Sequence, residues 1–250
     1  MPLAWAESWQ RSWDQLEESL IADRERRLGI LLDVVEAMAG TAPVVVDLAS
    51  GPGTVSRRLL ERLPRARSIA VDVDPVLLTI ASATFADDDR VRIVRADLRD
   101  PAWIDAMPER QVDAVVTATA LHWLPEEAVR RLYGDLAGLV RQGGVMAHAE
   151  QMPFAGLPRL ASAVAEFERQ HRTGRDDAKA NWDAWWEQAS HDPALRRAMA
   201  QRQAVFATSY PVEEFSPPAD WHITALRDAG FTEAGVVWRA GAGAVVAAVR

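Results

Sequence analysis

Cysteine is absent from the 250 residues, which excludes a disulfide framework, a thiolate metal site and a cysteine nucleophile. No apolar run reaches the 18 or so residues needed to cross a bilayer, so no membrane partner is expected. The opening Met1-Pro2-Leu3-Ala4-Trp5-Ala6-Glu7 lacks the basic-then-apolar build of a signal peptide, and a cytoplasmic, soluble protein is expected. Positive charge is in deficit: 28 Lys and Arg against 36 Asp and Glu leave a net charge of −8. That disfavours DNA or RNA as partner, because affinity for a polyanion comes largely from phosphate neutralisation. His-x-x-x-His pairs and carboxylate clusters at ligand spacing are missing too, so no metal is expected. There is no internal repeat and no low-complexity linker. With 49% hydrophobic residues, positions 1–250 suit a single domain with a substantial core, a small-molecule partner, and a monomeric or homodimeric state.

What is there begins with Val44-Val45-Val46-Asp47-Leu48-Ala49-Ser50-Gly51-Pro52-Gly53-Thr54, an apolar strand ending in a carboxylate and turning through small residues into a helix. β-Branched valines suit a strand buried on both faces, and the glycines let backbone pass close to a ligand. The free N–H groups of the following helix point at that ligand. A dinucleotide fingerprint is a partial match, with Ser56 at the third glycine position and Asp72 at the ribose-binding distance, so an NAD-dependent oxidoreductase is one alternative. Asp47 speaks against it: a pyrophosphate would be repelled there, and an ammonium or sulfonium attracted. Two further strands end in acid, Val71-Asp72-Val73-Asp74 and Ala96-Asp97-Leu98. Three consecutive strands thus deliver carboxylates to the edge where open parallel sheets bind ligands.

These segments resemble the class I S-adenosylmethionine-dependent methyltransferases of the small-molecule type. Asp47–Gly53 is similar to the family's acidic glycine loop, Asp72 to its ribose-binding strand end, and Asp97 to its adenine-binding turn. Gln111–Leu124 resembles the fourth strand and its loop, and Leu139–Gly144 the turn before the fifth. The resemblance implies S-adenosyl-L-methionine as cofactor, Asp47 near its amino group, and Gly51 and Gly53 under its amino-acid portion. It further implies Asp72 on the ribose hydroxyls, Asp97 on the adenine amino group with Val73 and Leu98 against the ring, and backbone contacts from Thr117 and Ala118. Ala49 stands where the family has a glycine, which requires a backbone angle that alanine tolerates. An arginine that meets the cofactor carboxylate is matched nearest by Arg26.

The expected fold is α/β: a doubly wound, Rossmann-like seven-stranded sheet, mostly parallel, with a C-terminal antiparallel hairpin. Residues 1–40 form a helical lid, 41–149 the cofactor-binding core, 150–208 a helical insertion covering the substrate, and 209–250 the last helix and hairpin. Trp5, Trp9, Trp13, Leu16 and Leu20 recur at spacings of four and three on one helical stripe. That stripe packs on the body of the protein or faces the substrate, and Trp5, Trp9 and Trp13 are substrate-binding candidates with Trp123. Ten tryptophans could make an apolar, aromatic pocket.

Methyl transfer needs alignment and water exclusion above all; a base is required only for a protonated acceptor. His122 after strand four and Glu150 after strand five are the candidates, with an ordering role for His122 as the competing reading. The expected reaction is methylation of a small apolar or aromatic metabolite or a peptide end, with carboxylate or hydroxyl oxygen favoured as acceptor. A methyltransferase-like fold with a binding or cyclisation role is the further alternative.

Overall fold

The computed structural model describes residues 1–171, 178–207 and 214–250. The parts of the expected insertion and C-terminal region at 172–177 and 208–213 lie outside them. Helices α1 (Leu3–Leu20) and α2 (Arg24–Ala39) precede β1 (Val44–Leu48), and strand–helix alternation follows with α3 (Thr54–Arg62), β2 (Arg67–Asp72), α4 (Pro75–Thr84), β3 (Val91–Arg95), β4 (Val112–Ala118), α5 (Glu126–Leu139) and β5 (Val140–Gln151). Helices α6 (Pro158–His171), α7 (Ala178–His191), α8 (Arg196–Phe206) and α9 (Ala219–Asp228) then lead to β6 (Glu233–Ala240) and β7 (Gly243–Val249).

The sheet has the order β3-β2-β1-β4-β5-β7-β6, with β1 to β5 parallel and β7 antiparallel to both β5 and β6. The hairpin turn is tight: the strands are joined by Gly241-Ala242, and Gly241 takes a φ of +54°. Val45, Val46 and Leu48 are fully buried, as a strand covered by helices on both faces demands. One cluster, around Val46, Leu132, Tyr133 and Val246, lies under α5 and α9; a second, around Leu31, Val45, Val116 and Val145, lies under α2 and α3. A third is aromatic and joins Trp9, Trp13 and Trp185 to Ile80 of α4. It carries α1 over the carboxyl ends of β1 and β2. No described helix is long and apolar enough to cross a membrane.

Candidate active site

Register sets the site. Leu48 pairs with Val71 on one side and Thr117 on the other, so β1, β2 and β4 end together and the chain turns away from each at the same height. Above these ends is a cavity of about 620 Å³. Asp47, Asp72 and Asp97 form part of its lining, with Ala49, Gly51, Val73, Leu98 and Ala118 beside them.

Asp47 is 2% exposed, and its Oδ2 accepts from the Ser56 amide (2.9 Å) and Ser56 Oγ (2.7 Å). Ser68 Oγ lies 2.8 Å from Ser56 Oγ and serves as its donor, since the Ser56 hydroxyl proton is spent on Asp47. Ser56 is therefore the partner of the carboxylate, and its place in a dinucleotide fingerprint was coincidental. Burial pushes Asp47 up to about 7 against the pull of both Ser56 bonds. Asp72 accepts from the Gly51 amide (2.7 Å) on one oxygen and the Asp74 amide (2.8 Å) on the other, and burial still raises it to about 6. Burial also raises Asp97, but the hydrogen bonds and charge of Arg99, with Nη2 at 2.6 Å, outweigh it and hold Asp97 below its ordinary value.

Two non-glycine residues adopt left-handed backbone at this edge, Ala49 (φ +52°) after β1 and Thr119 (φ +53°) after β4. Each costs on the order of 1 kcal/mol or more, and such strain collects at ligand sites. Gly51 (φ +57°) brings the loop under Trp13, whose Nε1 would lie 3.8 Å from any Cβ placed there.

Several expected site residues lie elsewhere. Gly53 does not line the cavity; it precedes α3 at φ +86° and packs on Phe85, where a Cβ would be 2.5 Å from the ring. Thr117 is wholly buried inside β4, one residue short of the edge. Arg26 is exposed, turned from Arg24 by about 200° around α2. Arg24 and Arg27, three apart on the inner face, line the cavity in its place. Arg24 is bound to Asp14 (2.9 Å) and Glu25 (3.3 Å), and the Arg27 guanidinium lies against Gly243.

Trp13 and Trp123 line the cavity, but Trp5 and Trp9 do not: their indole N–H groups both donate to Asp192 Oδ2, at 2.8 and 2.9 Å, and fasten α1 to the residues after α7. The aromatic cover is completed by Trp182, Trp186 and Phe206. Arg202 of α8 stacks on Trp186 at 3.6 Å and pairs with Asp74 at 2.6 Å, drawing the insertion onto the end of β2.

His122 lines the cavity and Glu150 stands behind it, Nδ1 to Oε2 2.9 Å. Burial raises Glu150, but the hydrogen bonds and charges of His122 and His148 prevail and hold it well below the usual range. His122 is lowered by burial and raised further by Glu150, with Glu214 and Glu17 adding to the rise. With Glu150 ionised, Nδ1 carries a proton, and in the neutral ring, which the raised value confines to higher pH, Nε2 holds the lone pair. Glu17, Arg24, Arg27, Thr119 and Arg202 are among the cavity residues missed in the sequence. Glu17 had a signal, since it continues the spacing of four through positions 5, 9 and 13.

Residues 45–144 match the family model of a methyltransferase domain. Trans-aconitate 2-methyltransferase of Azoarcus sp. (strain BH72) is 34% identical over 142 residues, covering 57% of this chain and 51% of that protein. Over residues 45–144 this chain is therefore similar to a methyltransferase domain. The chain spans about half the length of the curated relatives it matches. An O-methyltransferase family protein from Burkholderia thailandensis shares the fold at a TM-score of 0.57 and 20% identity, over 100% of this chain and 71% of that one. The S-adenosylmethionine-dependent methyltransferase SibL does so at 0.56 and 19%, over 91% and 55%.

The methyl donor of class I methyltransferases is S-adenosylmethionine, and this domain's residues fit it. Asp47 offers a buried carboxylate for an ammonium, Asp72 free lone pairs for ribose hydroxyls, and Gly51 an open approach to the loop. The dehydrogenase alternative falls on topology, because the antiparallel β7 inserted between β5 and β6 departs from the all-parallel 3-2-1-4-5-6 order of dinucleotide-binding sheets.

Proposed function

We propose that the chain methylates a small, largely apolar or aromatic metabolite or peptide end, with hydroxyl or carboxylate oxygen as the favoured acceptor. The observation that carries this is one cavity with three strand-end carboxylates on the cofactor side and Trp13, Trp123, Trp182, Trp186 and Phe206 on the other. The relatives named for trans-aconitate support a small acceptor, and the net charge of −8 supports one that is not a nucleic acid. We place the reaction in the cytoplasm, on a monomer or homodimer.

Bound S-adenosylmethionine would supply an electrophilic methyl group, transferred in line. Asp47, Asp72 and Asp97 hold and orient the donor, while α1, α7 and α8 exclude water behind the aromatic cover. His122 presents Nε2 to the acceptor and takes its proton; Glu150 fixes the ring and its tautomer from behind and is a positioning residue.

Calorimetry is expected to show one S-adenosylmethionine per chain, and Asp72→Ala, which removes the ribose acceptor, is expected to weaken it about a hundredfold or more. Folded wild-type protein giving no heat would refute the cofactor assignment. Labelled methyl appearing on no acceptor, with the cofactor bound, would favour the binding or cyclisation role.

A further inference from the structure

The lid carries one cavity-lining carboxylate that no cofactor role uses. Glu17 lies on α1 one turn beyond Trp13 and lines the same cavity as His122. Its carboxylate accepts no hydrogen bond among the described residues. The charged groups around it come from every neighbouring element: Arg24 from α2 and His122 from the loop after β4 attract it, while Asp14 from α1 and Glu150 from β5 repel it. Glu214 adds a further negative charge near His122. Burial is the largest influence on Glu17 and pushes it up to about 7, so it is ionised at mildly alkaline pH.

Three cations of the cavity are paired: Arg24 with Asp14 and Glu25, Arg202 with Asp74, and His122 with Glu150, while Arg27 is 2% exposed and lies against Gly243. A carboxylate acceptor brought to His122 would therefore meet the like charge of Glu17 on the same wall of the cavity. An acceptor with a hydrogen to donate meets a carboxylate with no other donor.

We propose that Glu17 selects the methyl acceptor, accepting a hydrogen bond from a hydroxyl or amine group and repelling carboxylates. This rests on the methyltransferase reading and narrows it to a protic, uncharged or cationic acceptor. Glu17 touches the acceptor and sets specificity on binding; a hydroxyl's single proton turns from Glu17 to His122 Nε2 as the methyl is transferred, so His122 remains the base.

The test uses the intact protein saturated with S-adenosylhomocysteine, with tryptophan fluorescence as readout. It compares two probes on one aryl frame, 3-phenylpropan-1-ol and 3-phenylpropanoate, with trans-aconitate as a second anion. At about pH 8 the wild type is expected to bind the alcohol at least about tenfold tighter than either anion, and Glu17→Gln to bring that ratio within about threefold by tightening the anions. S-Adenosylhomocysteine affinity, expected to change less than about twofold, reports that the variant is folded. Equal or tighter binding of the anions by wild type, no binding of the alcohol, or a ratio unchanged in Glu17→Gln would overturn the assignment. Failure of S-adenosylhomocysteine itself to bind would instead overturn the methyltransferase reading.

Discussion

Ala49 shows how much one side chain decides at the residue scale. A methyl group occupies a φ of +52°, where glycine carries no steric cost. Ala49→Gly is expected to stabilise the protein by about 1 kcal/mol, the strain relieved exceeding the extra chain entropy of glycine. Thermal unfolding should register a rise of about 2–4 °C, and a fall would mean the loop does not hold that angle. With Asp47 and Asp72 in the roles proposed for them, cofactor binding would be proton-linked. Their raised values, about 7 and about 6, mean that the empty site is partly protonated at neutral pH, whereas a bound ammonium requires the carboxylate. Affinity is expected to rise with pH through that range and level off above about pH 7.5, with proton release visible as buffer-dependent heat. The sign for stability is opposite. A carboxyl raised on folding gives stability that is present below its unfolded value and lost as pH rises through 6 to 7, so Asp47→Asn is expected to raise the melting temperature of the free protein at about pH 8 while weakening cofactor binding.

At the scale of elements, β5 shows alternation at work. His148 and Glu150 are two apart and share a face, and there they meet side chains from three other segments. His148 lies edge-on to His222 of α9 at 4.9 Å; the Tyr133 phenol of α5, kept protonated by burial, shares a hydrogen bond with His222 Nδ1 at 2.8 Å. Burial and the neighbouring His148 push His222 down to about 3, so it stays neutral. Glu150 is thus the single carboxylate of a buried row that ends at His122. Glu150→Gln removes the charge that raises His122, so the alkaline-rising limb of kcat is expected to move to lower pH. The S-adenosylmethionine affinity should not change. A limb that stays in place would remove His122 from the proton-transfer role. The strands, the first two helices and the glycine corner were legible because burial on both faces and a 3.6-residue period leave plain marks in sequence. Gly53 could not be placed from sequence, because a glycine that packs on Phe85 looks the same there as one that approaches a ligand.

At the scale of the whole molecule, three blocks close on one cavity: the sheet edge, the α1–α2 lid and the α7–α8 insertion. Gln10 donates to the Pro52 carbonyl (2.9 Å) and Thr54 to Asp14 (2.9 Å), sealing the lid to the glycine loop. Arg202 ties α8 to the segment after β2 by an ion pair, through Asp74. Arg202→Met keeps the apolar stem over Trp186 but leaves the buried Asp74 charge unpaired, at a cost of about 2–3 kcal/mol. The acceptor KM is expected to rise severalfold with cofactor affinity little changed; an unaltered KM would show that the insertion does not cover the acceptor.

The sequence by itself determined the order of elements and which strand ends would carry acid, because both are local: a run of valines, a turn residue and a terminal carboxylate lie within a few positions of one another. Only tertiary structure decided which side chains share the cavity. Arg24 displaced Arg26 because helix rotation selects the inner face, and Trp5 and Trp9 were claimed by Asp192, nearly the whole chain away. Arg202 reached the site from an insertion with no motif of its own. Glu17 became the odd charge in the acceptor space only when α1 folded back over β4, since the consequence of a buried charge depends on its neighbours, and those come from elsewhere in the chain.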